Sequence, residues 1–367
     1  QVCLLVATAV CVLTGMAGFH RPWKDFELAV TNNIAGVSTA LIILLIIGAL
    51  SGAWMVSGVV PTLIYYGIQV IHPHFFLVST CIICAVVSVM TGSSWTTIAT
   101  IGIALMGIGK AQGFSEGWIA GAIISGAYFG DKVSPLSDTT ILASSVTDTP
   151  LFTHIRYLMI TTVPSLVITL IIFTIAGLSH EATDTGHIAE YTRILSDKFH
   201  ISWWLMIVPV VTAILIARKV PSIITLFVST ALATVFALIF QPGLLCEIAG
   251  QGAEGIAALF KGGMGMLYGG TQLETGNAEI NELISTRGMA GMMTIWLIIC
   301  AMCFGGAMTA GGMLGSITSV FVRFTKKRVG MVSSTVASGL FLNLATADQY
   351  ISIILTGNMF KDIYSAN

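Results

Sequence analysis

Charge is what this sequence has least of. Asp, Glu, Lys and Arg make up 9% of its 367 residues, against about 25% in soluble domains. From Leu28 to Gly109 the chain runs 82 residues without one of them. With 55% hydrophobic residues, a soluble fold has no means of hiding so much apolar surface, and an integral helical membrane protein is expected. The formal net charge is −1 and no basic tract is long, which excludes a nucleic-acid binder.

Metal and cofactor motifs are also lacking. Cys81-x-x-Cys84 and Cys300-x-x-Cys303 have zinc-like or redox-like spacing, but no His or further Cys stands at ligand distance in sequence. These cysteines are read as small packing residues. Gly107-Ile-Gly-Lys110 lacks the earlier glycine and the hydroxyl residue of a phosphate loop, and His180-Glu181 lacks the second His of a zinc peptidase. No basic region precedes the apolar stretch 2–18, so no cleavable signal is read there. The chain opens inside a hydrophobic run without an initiator Met, and further residues are expected in front of it.

Against that background Gly126–Ser145 (GAYFGDKVSPLSDTTILASS) stands out. Asp131, Lys132 and Asp138 fall within eight residues of one another, between two membrane-like stretches. Facing lipid, three such charges would cost roughly 8–10 kcal/mol. Their presence is explained if they line a polar cavity or bind something. Gly130, Ser134, Pro135, Ser137, Thr139 and Thr140 break the helix and supply oxygen atoms. An ion site is expected here, not a plain span.

The chain also repeats. At an offset of 253, Leu41–Ile64 lies on Thr294–Ile317, pairing Gly52, Met55 and Gly58 with Gly305, Met308 and Gly311. A weakly amphipathic stretch precedes each copy, Trp23–Ile34 and Glu247–Leu267, and each is expected to lie at the membrane interface. At an offset of 255, Thr91–Trp95 lies on Thr346–Tyr350, a polar break followed by an aromatic in both. Repeated polar breaks are a property of secondary transporters, where discontinuous helices meet near the midplane and offer carbonyls to cations and helix N-termini to anions. The expected organisation is a first repeat over 1–180, with a hairpin at 91–109 and a broken helix at 117–145. A polar connector at 181–202 and a second repeat over 203–367 follow. The partner of Gly130–Thr140 should fall near position 385, so a further C-terminal stretch is expected. The RFTKKR cluster at 323–328 is taken as the cytoplasmic marker.

Four segments, VSGVVPTLIYYG (56–67), TGSSWTTIATIGIALMGIG (91–109), GAIISGAYFGDKVSPLSDTT (121–140) and ATADQYISIILTGNMFK (345–361), carry a resemblance to the NhaC family of sodium/proton antiporters. That family includes malate/lactate–sodium exchangers of the ion-transporter superfamily. The resemblance implies an all-α polytopic bundle of two inverted repeats with re-entrant hairpins and discontinuous helices, and a multi-pass protein of the bacterial cell membrane. It also implies a homodimer, and the Gly-rich stretches 48–58 and 305–315 suit close contact between helices. Ser93–Thr96 resemble the tip of one hairpin and Thr346–Gln349 the tip of the other. Two departures stand out. Thr309 occupies the place of a Glu that family members often carry, and the second Ser-Pro-containing broken helix is absent.

Roles follow. Asp138, flanked by Ser137 and Thr139 and preceded by Ser134, is the first choice for the Na⁺-binding carboxylate, because Na⁺ is a hard cation that takes oxygen. Capping of a helix by Asp138 is the alternative. Asp131 and Lys132 are candidates for proton coupling together with Asp138, since burial favours the neutral form of such groups; a fixed internal ion pair is the competing reading. Ser93, Ser94 and Thr96 would put hydroxyls against the same cavity or only bond the hairpin tip. Asp348, with Asn343, Thr346 and Gln349, would supply the second half of the ion or substrate contact. No cofactor is expected beyond the transported Na⁺ and H⁺, and lipid is the surrounding solvent.

Rival classes are weaker. Tyr128-Phe-Gly-Asp131 resembles an intramembrane aspartyl protease motif but has Tyr128 for its first Gly, and no Gly-x-Ser-Gly occurs. A channel would lack counter-transport. Among transporters, sodium-coupled exchange of a small organic anion such as malate or lactate, or of an amino acid, is the alternative to Na⁺/H⁺ antiport.

Overall fold

The computed structural model describes residues 1–179, 185–218, 220–250, 255–314, 316, 320, 328–346 and 349–365. Among them, regular structure is helical apart from a single bridge between Thr271 and Thr286. Six of these helices are long and apolar enough to cross a bilayer, and the protein is an all-α polytopic membrane protein. Asp348, most of the RFTKKR cluster and the start of the polar connector lie outside the described residues.

The chain forms two compact units, each drawing on both halves of the sequence. One comprises Gln1–Ile42, Asp138–His154 and Met293–Asn367; the other comprises Ile43–Ser137 and Ile155–Met292. The chain passes between them within α2 and at the bonds following Ser137, His154 and Met292.

In chain order the helices are α1 (Val2–Phe19), α2 (Trp23–Val56), α3 (Val59–Val70), α4 (Phe76–Thr91), α5 (Ser94–Thr97), α6 (Ile103–Ala111), α7 (Glu116–Val133), α8 (Asp138–Val146) and α9 (Leu151–Leu178). A π turn over Ile98–Gly102 joins α5 to α6. Then come α10 (Thr185–Lys198), α11 (Ile207–Ala217), α12 (Ser222–Phe240), α13 (Pro242–Ala249), α14 (Gly255–Tyr268) and α15 (Ala278–Ile284). The last described helices are α16 (Met293–Ala310), α17 (Arg328–Thr346) and α18 (Gln349–Ser365).

Trp23–Ile34 is not a separate interfacial helix: it is the start of the 34-residue α2. Nothing between Trp23 and Val56 breaks a helix, because isolated glycines are tolerated in membrane spans. At 1.5 Å per residue α2 is about 51 Å long, so it overruns a bilayer core of about 30 Å. The sequence Lys24-Asp25-Phe26-Glu27 marks the overhang, and Asn33 Nδ2 donates to the Met302 carbonyl 3.4 Å away on α16. Ser57-Gly58, with Gly58 at φ 85°, ends α2. The second interfacial stretch is likewise divided, between α13 and α14, with Gly250 at φ 70° closing α13.

In the larger unit the core gathers Leu50, Trp54, Ile64, Phe76, Leu77, Ile119, Leu226 and Leu245. A buried polar relay crosses it: Trp54 Nε1 donates to Ser229 Oγ at 2.9 Å, and Ser229 shares a hydrogen with Thr212 Oγ1 at 2.8 Å. Trp54 thereby keeps its indole N–H paired while its ring fills the core. From Tyr157 to Leu178 α9 carries no charged residue and leaves Ile160, Ile168, Ile171 and Ile175 exposed, a surface suited to lipid. In the smaller unit α1 packs on α16, and Val37, Ala301 and Met302 form one apolar cluster.

Candidate functional site

Hydroxyls and one glycine build the tip of the first hairpin. Gly92 closes α4 at φ 65°, a left-handed conformation that favours glycine, and its N–H bonds the Ser88 carbonyl. Ser93 then opens α5 as its N-cap, accepting from Thr96 N at 3.3 Å. Thr91 Oγ1 accepts from Ser93 N at 3.1 Å, and Thr97 Oγ1 donates to the Ser93 carbonyl at 3.0 Å. The two arms run antiparallel. Gly109 packs against Phe76 at the base, while Gly92 and Ser93 make the tip.

The break in the next helix is set against this tip. α7 runs parallel to α4 because Gly126 and Gly130 leave no side chain between them. A methyl at Gly126 would overlap the Cys81 carbonyl, and one at Gly130 the Ala85 carbonyl. Ser88 Oγ donates to the Ala127 carbonyl at 2.6 Å, and Ser134 Oγ to the Val89 carbonyl at 2.8 Å. The other Gly-x-x-x-Gly pair, Gly117 and Gly121, faces open space. α7 stops at Val133, where Ser134-Pro135 turns the chain out of the helix. Leu136 N donates to Ser134 Oγ at 3.2 Å, and a methyl at Gly92 would overlap Leu136. Two helix discontinuities, 92–93 and 134–137, therefore touch.

Asp131 lies one turn before the second break and is half-buried. Its Oδ2 accepts from Ser94 Oγ at 2.9 Å, which ties Asp131 to the hairpin tip. Lys132 follows on the exposed side of α7's last turn. Ser94, Thr96, Ser134 and Ser137 are buried. This is a cluster of oxygen atoms, with one carboxylate, at a place where backbone carbonyls leave the α pattern. The π turn at Ile98–Gly102 adds a further departure, of a kind frequent at functional sites.

Asp138 is the first residue of α8 and is exposed, with Thr139 half-buried beside it. A carboxylate in a first helical turn is favoured by the helix dipole. α8 belongs to the smaller unit, where it packs on α18: Gly357 lies under Val146, and Lys361 pairs with Asp148. α17 and α18 are themselves an antiparallel hairpin, joined by Ser352 Oγ donating to the Gly339 carbonyl at 2.9 Å and by Thr335 with Tyr364 at 3.2 Å. α4 ends at Thr91 and α17 at Thr346; α5 begins at Ser94 and α18 at Gln349. The two breaks hold the same 255-residue register. Asn343 is exposed on α17, Gln349 is half-buried at the start of α18, and Thr346 ends α17.

At the base of the first hairpin Lys110 pairs with Glu116. The hydrogen bond from Lys110, and then its charge, hold the Glu116 carboxyl below the usual carboxylate range. Reading from sequence named Thr91 as the start of the polar break but missed Thr97 and Thr100, whose hydroxyls donate to the Ser93 and Thr96 carbonyls. The signal was present, since hydroxyls recur through 91–100, but only the run as far as Thr96 was singled out.

Residues 126–366 match the Na⁺/H⁺ antiporter family. The chain is 36% identical over 365 residues to the Na⁺/H⁺ antiporter NhaC of Alkalihalophilus pseudofirmus, covering 98% of this chain and 76% of that protein. It is 36% identical over 367 residues to the malate-2H⁺/Na⁺-lactate antiporter of Bacillus subtilis, covering 99% and 75%. With the arginine/ornithine antiporter ArcD of Halobacterium salinarum it shares 33% identity over 373 residues, covering 99% and 73%. The chain belongs to the Na⁺/H⁺ antiporter family.

Proposed function

We propose that this protein is a secondary active transporter that exchanges Na⁺ for H⁺ across the cell membrane by alternating access. The observation that carries this reading is the Ser94–Asp131 hydrogen bond where the two helix breaks touch. It puts a carboxylate, several hydroxyls and helix-end carbonyls in one place, the donor set a hard cation takes. Asp138, with Ser137, Thr139 and Ser134, is the proposed main Na⁺ ligand group, and Asp131, Lys132 and Asp138 carry the coupling to H⁺. Thr346, Asp348, Asn343 and Gln349 are the proposed contribution from the second hairpin. Organisation as two inverted repeats and a homodimer belong to the same proposal. Gly48 and Gly52, two of the glycines that suggested contact between copies, pack within the chain against Gly288 and Met266.

A second reading is favoured by the relatives that exchange malate for lactate or arginine for ornithine. Proteoliposomes test both. Na⁺-induced proton movement without accumulation of labelled malate, lactate or arginine is the expected result. Proton movement that requires one of those solutes would replace Na⁺/H⁺ antiport with exchange of an organic substrate.

A further inference from the structure

Asp138 opens α8, and two contacts with α18 fasten the far end of that helix. α8 closes in a Schellman motif: Thr149 N donates to the Ser144 carbonyl at 2.9 Å and Asp148 N to the Ser145 carbonyl at 3.2 Å, with Pro150 directly after. Asp148 takes the left-handed position of the motif, at φ 48°. Glycine is the usual residue there because it has no Cβ to strain, and Asn and Asp are the side chains that tolerate it next best. Nothing in that turn calls for a charge. The Asp148 carboxylate pairs instead with Lys361 of α18.

Gly357 and Lys361 stand four residues apart, on one face of α18. A methyl at Gly357 would overlap the side chain of Val146, the last residue of α8, so the two helices are in direct contact there. Gly339, on the other arm of the same hairpin, is different: a methyl there would meet Thr356 at 3.6 Å, an ordinary contact distance. The ion pair contributes little by itself, because the Asp148 side chain is 71% and the Lys361 side chain 36% exposed. The stronger constraint is the fit of Val146 over Gly357.

We propose that Gly357, Asp148 and Lys361 are positioning residues for Asp138, so that the second hairpin sets where this carboxylate stands. The inference rests on the proposed Na⁺-binding role of Asp138. Asp138 to Val146 spans about 12 Å of helix. A helix that short tilts as one piece, so a shift at Val146 is passed on to Asp138. Asp131 is tied to the first hairpin through Ser94. The two carboxylates proposed for the site are therefore placed by different hairpins.

Na⁺-driven proton flux of the full chain in proteoliposomes tests this, read as the Na⁺ concentration at half-maximal rate. Loss of folded protein lowers the maximal rate and leaves that concentration where it was; displacement of Asp138 raises it. Gly357→Ala should raise it about tenfold, and Gly339→Ala should leave it unchanged. Should Gly357→Ala not fold, Val146→Ala, which loosens the same contact, should raise it in its place. Asp148→Asn and Lys361→Met should each raise it about threefold, the double variant no further, and Lys361→Arg should keep the natural value. A natural half-maximal concentration in Gly357→Ala or Val146→Ala, or an equal rise in Gly339→Ala, would overturn the inference. If Asp138→Asn abolishes flux at the same time, the Na⁺ role of Asp138 survives that result; if Asp138→Asn keeps natural flux, both fall.

Discussion

Ser94 Oγ lies 2.9 Å from Asp131 Oδ2 and donates to it, tying the tip of the first hairpin to the last turn of α7. A hydrogen bond to a charged group contributes about 1.5–3 kcal/mol when buried, and less at a half-exposed carboxylate. Ser94→Ala should weaken apparent Na⁺ affinity about three- to tenfold, while Ser94→Thr retains most of it. In a double-mutant cycle with Asp131→Asn the two effects should be strongly non-additive. Additive effects would mean that the hydroxyl and the carboxylate act separately.

The glycines of α7 divide into two pairs with different consequences. Gly126 and Gly130 lie against α4 backbone, whereas Gly117 and Gly121 meet nothing within 4 Å. Gly126→Ala or Gly130→Ala should destabilise the folded protein by about 1–3 kcal/mol through overpacking and lower transport by moving Asp131. Gly117→Ala and Gly121→Ala should leave both unchanged. Thermal unfolding in detergent checks the series, and equal shifts at all four positions would contradict the packing described.

The Lys110–Glu116 pair at the base of the hairpin and Lys132 on α7 should respond differently to substitution. Lys110 holds the Glu116 carboxyl below its ordinary range. A carboxylate whose folded value is lowered contributes stability that is fully present above the ordinary range and lost as pH falls through the folded value. At about pH 6 to 9 Glu116 therefore stays ionised, and Glu116→Gln should leave the pH profile of transport in place. Lys132, exposed on the last turn of α7 beside the proposed ion site, should behave differently: Lys132→Gln removes a positive charge next to the cation and should raise apparent Na⁺ affinity, whereas Lys132→Arg keeps that charge and should leave the affinity near its natural value. A pH profile of transport altered by Glu116→Gln would contradict this assignment of the Lys110–Glu116 pair.

The helix breaks were legible because they carry chemistry of their own. Gly92, Ser93, Ser134 and Pro135 interrupt apolar runs, and a glycine, a proline and hydroxyls each have a local reason to end a helix. The register of 255 residues between the two hairpins was legible for the same reason. The π turn at Ile98–Gly102 was not, since nothing in Ile-Ala-Thr-Ile-Gly separates it from ordinary helix. The continuity of α2 was not legible at Trp23–Ile34, where a weakly amphipathic stretch suggested an interfacial element and is in fact the start of a long helix. The Ser94–Asp131 bond is tertiary. It depends on Gly126 and Gly130 letting α7 approach α4.

Asp138 carries the heaviest claim, since it is a carboxylate at the start of α8, directly after the broken segment that touches the hairpin tip. Na⁺-driven proton flux in proteoliposomes, compared between the natural protein and an equally folded Asp138→Asn variant, tests that claim most directly. The account predicts that flux is abolished in the variant. Flux with natural Na⁺ affinity and rate would contradict it.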